Sequence, residues 1–134
     1  MVKKIINTSG KRKTAIARAT IQKGKGLVRI NKMPVELYQP DVARWKILEP
    51  LSLADKYLDK VNIDVTVAGG GFMSQANAVR TAIARGLVEF SSDSSLKQTY
   101  LHHDRSLLVN DPRRKESKKP LGRGARKKRQ KSYR

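Results

Sequence analysis

The side chains with chemical potential in this 134-residue chain are mainly cations placed beside glycines. Lys11, Arg12 and Lys13 stand together after Gly10. Arg18 continues the positive charge on the polar face of the alternating stretch that follows. Neighbouring cations repel one another, so a phosphate contact explains this cluster better than a bare surface turn does. A solvated basic turn remains the alternative.

A second candidate is the glycine run Gly69–Gly71, which lies between a predicted strand and a predicted helix. Backbone N–H groups free of side chains at a helix N-terminus attract anions. The run has neither the dinucleotide-binding spacing nor the Lys-Ser/Thr pair of a P-loop, and a flexible turn explains it equally well. Arg80 and Arg85 fall outside the predicted apolar stripe of the helix, so we expect them to reach a phosphate backbone beside this loop.

Catalytic and metal chemistry find little support. In His102-His103-Asp104 the adjacent histidines point in different directions, and no second cluster completes a coordination sphere. The carboxylates are scattered, and no serine has the surroundings of a nucleophile elbow. The chain has no cysteine. We therefore expect no enzyme, no metal, no cofactor and no small-molecule substrate.

Charge divides the chain into two segments. The sequence has 30 Lys+Arg against 11 Asp+Glu, a formal net charge of +19, which implies a polyanionic partner. Residues 112–134 alone carry a net +11 in 23 positions and almost no large apolar side chains. We predict a globular domain over residues 1–111 and a tail over 112–134 that is disordered when free. No stretch is long or apolar enough for a secretory signal or a membrane span, so an intracellular location is expected.

The tail is suited to follow RNA. Each phosphate that it neutralises releases counterions, so affinity should fall steeply with salt. Fully extended it would reach about 70–80 Å, at about 3.3 Å per residue, and the ring of Tyr133 could stack on an unpaired base. A nonspecific solubilising or localisation tail is the alternative. The cations with which we expect it to contact RNA are Arg113, Arg114, Lys118, Lys119, Arg123, Arg126, Lys127, Lys128 and Arg129.

Periodicity predicts a small α+β sheet with helices on one face. Alternation predicts strands over 14–21 and 61–67, and Gly24-Lys25-Gly26 predicts a hairpin that returns through 27–30. Helical spacing predicts a helix from Asp41 to Pro50 with Trp45 in the core, one from a Ser74 cap to about Phe90, and weaker ones after Ser52 and over 94–101.

Four blocks, in order along the chain, resemble one family. They are Thr8 to Arg18; Gly26 to Asn31 with Pro34 and Glu36; Gly69–Gly71 with Ser74-Gln75, Asn77–Arg80 and Ala82–Leu87; and Asp111-Pro112-Arg113 with Glu116, Lys118-Lys119 and the basic run to Arg134. Together they resemble the universal ninth protein of the small ribosomal subunit.

The resemblance implies a two-layer α/β sandwich of the ribosomal protein five domain 2-like type, with a left-handed βαβ crossover and an extended basic tail. It also implies a cytoplasmic, ribosomal protein that binds the 3′ major (head) domain of small-subunit rRNA beside neighbouring head proteins. Its tail tip would contact P-site tRNA through Lys131, Ser132, Tyr133 and Arg134. The Ser132-Tyr133-Arg134 ending resembles archaeal and eukaryotic members. Bacterial members have Lys in place of Tyr133, so we expect stacking or a hydroxyl bond there.

Three other functions stay open from the residues alone. A phosphotransferase would bind nucleotide at Gly69–Gly71, although no carboxylate base follows that loop. A DNA-packaging protein would bind duplex DNA as well as structured RNA. A membrane-surface peptide carrier is disfavoured because the tail has no amphipathic apolar face.

Overall fold

The computed structural model describes residues 4–129 and 131–133, and its centre is a five-stranded mixed sheet. The order across the sheet is β1-β2-β5-β3-β4, and the α+β prediction is confirmed. No helix of the described part is long and apolar enough to cross a membrane. The strands are β1 (Ile5–Arg12), β2 (Ala15–Lys23), β3 (Val28–Ile30), β4 (Met33–Pro34) and β5 (Val61–Ala68). The helices are α1 (Asp41–Leu53), α2 (Asp55–Leu58), α3 (Phe72–Ser91) and α4 (Ser94–His103), with 3₁₀ turns at Val35–Leu37 and Arg105–Leu107.

The helices cover one face of the sheet. Side chains alternate between buried and exposed along β2 and β5, as expected for strands with one covered face. The β5 strand and the one-sided arrangement of helices are therefore confirmed. β3 runs parallel to β5 with α1 between them in sequence, so the fold contains a βαβ unit.

The predicted hairpin between β2 and β3 is wrong. β2 pairs antiparallel with β1 on one side and with β5 on the other, and β3 lies beyond β5. The segment after β2 passes the start of β5, where Gly24 N donates to Lys60 O at 2.9 Å and Gly26 N donates to Val61 O at 2.9 Å. Residues 24–26 do turn the chain, but β5, from later in the chain, lies between β2 and β3.

β1 packs unusually close to α3. A Cβ on Gly10 would lie 2.1 Å from Ala78 O, and one on Gly86 would lie 2.3 Å from Ile21 Cδ1. A side chain on Gly10 would meet helix backbone and force α3 away from the sheet, whereas one on Gly86 would meet the end of the Ile21 side chain on β2 and, at 3.0 Å, the hydroxyl of Thr8 on β1. Gly10 serves this packing, and its backbone approaches α3 rather than a ligand.

Several helix details differ from expectation. Trp45 is 68% exposed, so its prediction as a core residue is wrong; Ile47 and its neighbours on the buried face of α1 fill the core instead. The helix continues through Pro50 to Leu53. The predicted caps are also displaced, because Gly71 rather than Ser74 precedes α3, and Ser52 lies inside α1.

Candidate nucleic-acid interface

The cationic cluster forms the turn between β1 and β2. The register pairs Arg12 with Ala15, so Lys13 and Thr14 make the connection. Lys13 has φ 53°, a left-handed conformation typical of a tight hairpin turn. Lys11 and Lys13 are exposed while Arg12 is half-buried. Lys11 and Lys13 thus lie exposed at one end of the sheet, and phosphate contact by Lys11, Arg12 and Lys13 stays a prediction.

The start of the basic tail is fixed against this turn. Asn110 Oδ1 accepts a hydrogen bond from Lys11 N at 3.2 Å, and Arg12 Nη1 donates to Arg113 O at 2.7 Å. Arg114 Nη2 donates to the carbonyl of the turn at Lys13, at 2.9 Å. These bonds join residues about a hundred positions apart in the chain, so the first tail cations lie beside the turn cations.

Asp111 neutralises part of this concentration of charge. Its carboxylate accepts hydrogen bonds from Arg113 Nε at 3.0 Å and Nη2 at 2.8 Å, and it lies 3.7 Å from Arg12 Nη2. The hydrogen bonds from Arg113, with the nearby charge of Arg12, lower the pKa of Asp111 to about 2. We call residues 110–114 the tail root. Its ionised Asp111 carboxylate holds Arg113 and Arg12 close together.

A polar cavity of about 420 Å³ opens beside the tail root. Its cations are Lys11, Arg12, Lys46, Arg80 and Arg113, and its carboxylates are Asp104 and Asp111. Lys46 on α1 was not singled out from the sequence, because a lone lysine on a helix carries no local signal. We call this concave surface the basic cleft.

Arg80 lies at the floor of the basic cleft, and the prediction that it lies outside the apolar face is wrong. It is only 4% exposed. Its Nη2 donates to Glu49 Oε1 and to Asp104 Oδ2, each at 2.9 Å, and Nη1 donates to Ser106 Oγ at 2.9 Å. Nε lies 2.7 Å from Glu49 Oε2, an ion-pair contact rather than an aligned hydrogen bond. Its contacts are therefore internal, and its role as an rRNA contact stays a prediction.

The two carboxylates around Arg80 are held in the ionised form. Burial opposes ionisation of Asp104, but hydrogen bonds from Arg80 and Ser106 outweigh it and lower its pKa to about 2. Burial likewise opposes ionisation of Glu49, and hydrogen bonds from Arg80 and His103 lower its pKa. His103 Nε2 lies 2.8 Å from Glu49 Oε1, so this histidine has a local partner. Within the part of the chain that the structure describes, no group of three or more acidic, His or Cys residues could hold a metal ion.

Arg85 is half-buried and also bonds inward. Its Nε donates to Leu108 O at 2.8 Å and its Nη1 donates to Ser9 O at 2.9 Å. These bonds tie α3 to the outer strand β1 and to the segment that leads into the tail. Arg85 therefore positions the backbone beneath the cationic turn, and direct rRNA contact by its side chain stays a prediction.

The glycine loop lies against the cationic turn. Gly69 and Gly70 have φ 81° and 67°, and a Cβ on Gly69 would lie 2.6 Å from Thr14 O. Gly71 precedes α3, and that helix start has no side-chain cap. Phosphate approach to Gly69, Gly70 and Gly71 at this uncapped helix start stays a prediction.

The remaining candidates lie apart from the cleft. Arg18 is on the uncovered face of the sheet, between Ser9 and Thr66 on the neighbouring strands. Arg134 lies outside the described residues. The described part of the tail after residue 111 has no helix or strand, and its charged side chains are exposed, as is Tyr133 at 88%. Beyond the tail root, the exposed cations of the described tail are Lys115, Lys118, Lys119, Arg123, Arg126, Lys127, Lys128, Arg129 and Lys131. Arg126 also contacts Glu116 at 3.1 Å.

Comparison with known proteins identifies the family. The family model described as ribosomal protein S9/S16 matches residues 10–134. A protein of Methanothrix thermoacetophila named small ribosomal subunit protein uS9 is 55% identical over 131 residues, covering 98% of this chain and 99% of its own length. The protein of the same name from Halobacterium salinarum is 59% identical over 131 residues, covering 97% and 99%. This chain belongs to the ribosomal protein S9/S16 family and is of the archaeal type.

Proposed function

We propose that this chain is a structural constituent of the small ribosomal subunit that binds head-domain rRNA and touches P-site tRNA with its C-terminal tip. Membership of a ribosomal protein family makes it a structural protein of translation rather than an enzyme. The ribosome would place it in the cytoplasm, beside other proteins of the subunit head.

The observation that carries the proposal is the joining of the tail root to the cationic turn. Lys11, Lys13 and Arg114 lie at one end of the domain, where Asp111 allows the cations to approach one another. Phosphate contacts from such a surface fix the orientation of a protein on RNA without reading its sequence. The uncompensated positive charge is therefore concentrated where the tail leaves the domain.

The tail extends this surface. Residues 112–134 carry 12 basic residues and one acidic residue, and the described ones are exposed. Such a segment gains most of its binding energy from phosphate neutralisation and adopts its bound path on the RNA. Lys131, Ser132, Tyr133 and Arg134 at the end of this reach are the proposed tRNA contacts, with the ring of Tyr133 able to stack.

The proposal is tested by removing the tip. We expect small subunits carrying a chain truncated after Gln130 to assemble normally and to release P-site tRNA faster. Truncation removes two cations, Lys131 and Arg134, so Lys127→Gln with Lys128→Gln is the control of equal charge. Loss of tRNA affinity on truncation but not in the control supports a contact made by the tip itself. An unchanged dissociation rate, or the same change in the control, contradicts the tRNA part.

The rRNA part has its own test. Co-sedimentation of the native chain with small subunits should persist at moderate salt and fail only at high salt. Equal affinity for duplex DNA and for head-domain rRNA at moderate salt would instead favour a nonspecific polycation.

A further inference from the structure

An exposed tryptophan stands beside the basic cleft. Trp45 is 68% exposed on α1, and Val42, one turn earlier, is 64% exposed. A folded domain rarely leaves its one tryptophan in water, because that ring offers the largest apolar area of any side chain. Its exposure indicates that a partner covers it.

The surroundings of Trp45 are continuous with the cleft. A cavity of about 370 Å³ is lined by Val42, Trp45, Lys46 and Glu49. Lys46 also lines the basic cleft, so one ammonium group borders both the indole and the phosphate-attracting surface. Its side chain is 45% exposed and its Nζ lies 3.9 Å from Glu49 Oε2, which leaves the ammonium accessible.

The charge near the ring favours an anionic partner. Glu49 is the acidic residue of this cavity, and Arg80 at 2.7–2.9 Å and His103 at 2.8 Å already engage its carboxylate. Lys46 is the cation of this cavity, and its 3.9 Å contact with Glu49 Oε2 is the longest that this carboxylate makes, so the ammonium can turn to an anion beside Trp45. An anion that also presents a flat ring satisfies both features at once.

We infer that Trp45 is a stacking platform for an unpaired RNA base, whose adjoining phosphate is held by Lys46 at the rim of the basic cleft. This inference rests on the proposed function and adds a specific contact to it. A protein partner fits less well, because a stable protein interface buries about 800 Å² on each side and only two large apolar side chains line this cavity. Stacking on a base needs one exposed ring and a nearby cation.

Because Trp45 is the chain's single tryptophan, its own fluorescence reports the contact. The full-length chain is titrated with single-stranded oligoadenylate, and separately with inorganic polyphosphate of matched charge. We expect the base-bearing polymer to quench the fluorescence strongly and the polyphosphate to leave it nearly unchanged. Quenching by both polymers alike overturns the stacking contact.

Substitutions separate stacking from apolar contact. Trp45→Phe keeps an aromatic face and should bind the oligonucleotide within about 2-fold of the native chain, whereas Trp45→Leu should bind it roughly 5- to 100-fold more weakly. Leu101→Ala, an exposed apolar residue on α4, is the control and should change nothing. Native affinity of Trp45→Leu for the oligonucleotide would overturn the inference. If Trp45→Leu is then incorporated normally into small subunits while Trp45→Ala is not, an apolar protein partner is indicated.

Labelled-RNA anisotropy on the same samples distinguishes failure of the Trp45 contact from failure of RNA binding as a whole. RNA that binds without quenching overturns the Trp45 contact and leaves the proposed function standing. No binding of RNA at all overturns both. Because Trp45 and Leu101 are exposed, thermal melting of the variants should match the native chain, which shows that the fold is not the cause of any loss.

Discussion

Arg80→Met tests whether the floor of the basic cleft is a structural ion-pair network. The native guanidinium is 4% exposed and contacts Glu49, Asp104 and Ser106 at 2.7–2.9 Å. Removing one partner of a buried ion pair costs about 3–5 kcal/mol. Here the released carboxylates can regain water, since the side chains of Glu49 and Asp104 are 23% and 41% exposed. We therefore expect a loss of about 2–3 kcal/mol in the free energy of unfolding.

The assay is thermal and urea unfolding of the RNA-free protein. A loss of this size should lower the melting temperature by roughly 10 °C for a domain of this length. The matched control is Arg105→Met, which removes an exposed arginine from the neighbouring 3₁₀ turn and should shift it by less than about 2 °C. Equal shifts in both variants would refute the network as a source of stability.

The same variant predicts a change in acid sensitivity. Hydrogen bonds lower the pKa of Asp104 in the folded protein from its ordinary 3.8 to about 2. A carboxyl group lowered in this way stabilises the fold above its ordinary pKa, and the contribution disappears as the pH falls through the folded value. Unfolding of the native chain should therefore become easier between about pH 4 and pH 2. In Arg80→Met the dependence in that window should be shallower, because the pKa of Asp104 returns toward its ordinary value.

Two further predictions concern packing and charge. Gly10→Ala should cost about 3 kcal/mol or more of unfolding free energy, because its Cβ would meet Ala78 O at 2.1 Å. Urea titration measures this loss. The control is Gly71→Ala, whose Cβ would have nothing within 4 Å and which should change the unfolding free energy by less than about 1 kcal/mol. Deleting residues 112–134 should reduce the slope of log affinity against log salt by several units, at about 0.7 per phosphate contact. Anisotropy of labelled RNA at several salt concentrations measures that slope, and a reduction no larger than that of Lys11→Gln would contradict the role of the tail.

The sequence predicted the elements whose burial follows a simple period. β5 alternates cleanly, and α3 has the apolar spacing of a helix buried on one side. β1 escaped recognition because its inward positions are Ile6, Thr8, Gly10 and Arg12, only one of which is a large apolar residue. Because α3 approaches closely, Gly10 has no room for a side chain. The strand therefore lacks the alternation of large apolar and polar residues that predicts a strand.

Two helix residues lie where their chemistry would not suggest: the charged Arg80 is buried and the apolar Trp45 is exposed. Arg80 is buried because Glu49 and Asp104, 31 and 24 positions away, meet it there. Trp45 is exposed although it is apolar. Neither outcome follows from local periodicity, since each depends on partners supplied by other elements or by another molecule. The same holds for the tail root. The sequence singled out its cations one by one, but it did not show that Asn110 and Asp111 bring them to the cationic turn.

The tail root explains how a very basic tail can begin beside a basic turn. Lys11, Arg12, Lys13, Arg113 and Arg114 would repel one another if they met alone. Asp111, ionised down to about pH 2 and bonded to Arg113, offsets that repulsion and lets Arg12 and Arg114 donate to the carbonyls of Arg113 and Lys13 at 2.7 and 2.9 Å. The first residues of the tail are therefore held against the domain. Under the proposed function, domain and tail would bind one RNA as linked modules, and tethering would raise the effective concentration of the second contact once the first has formed.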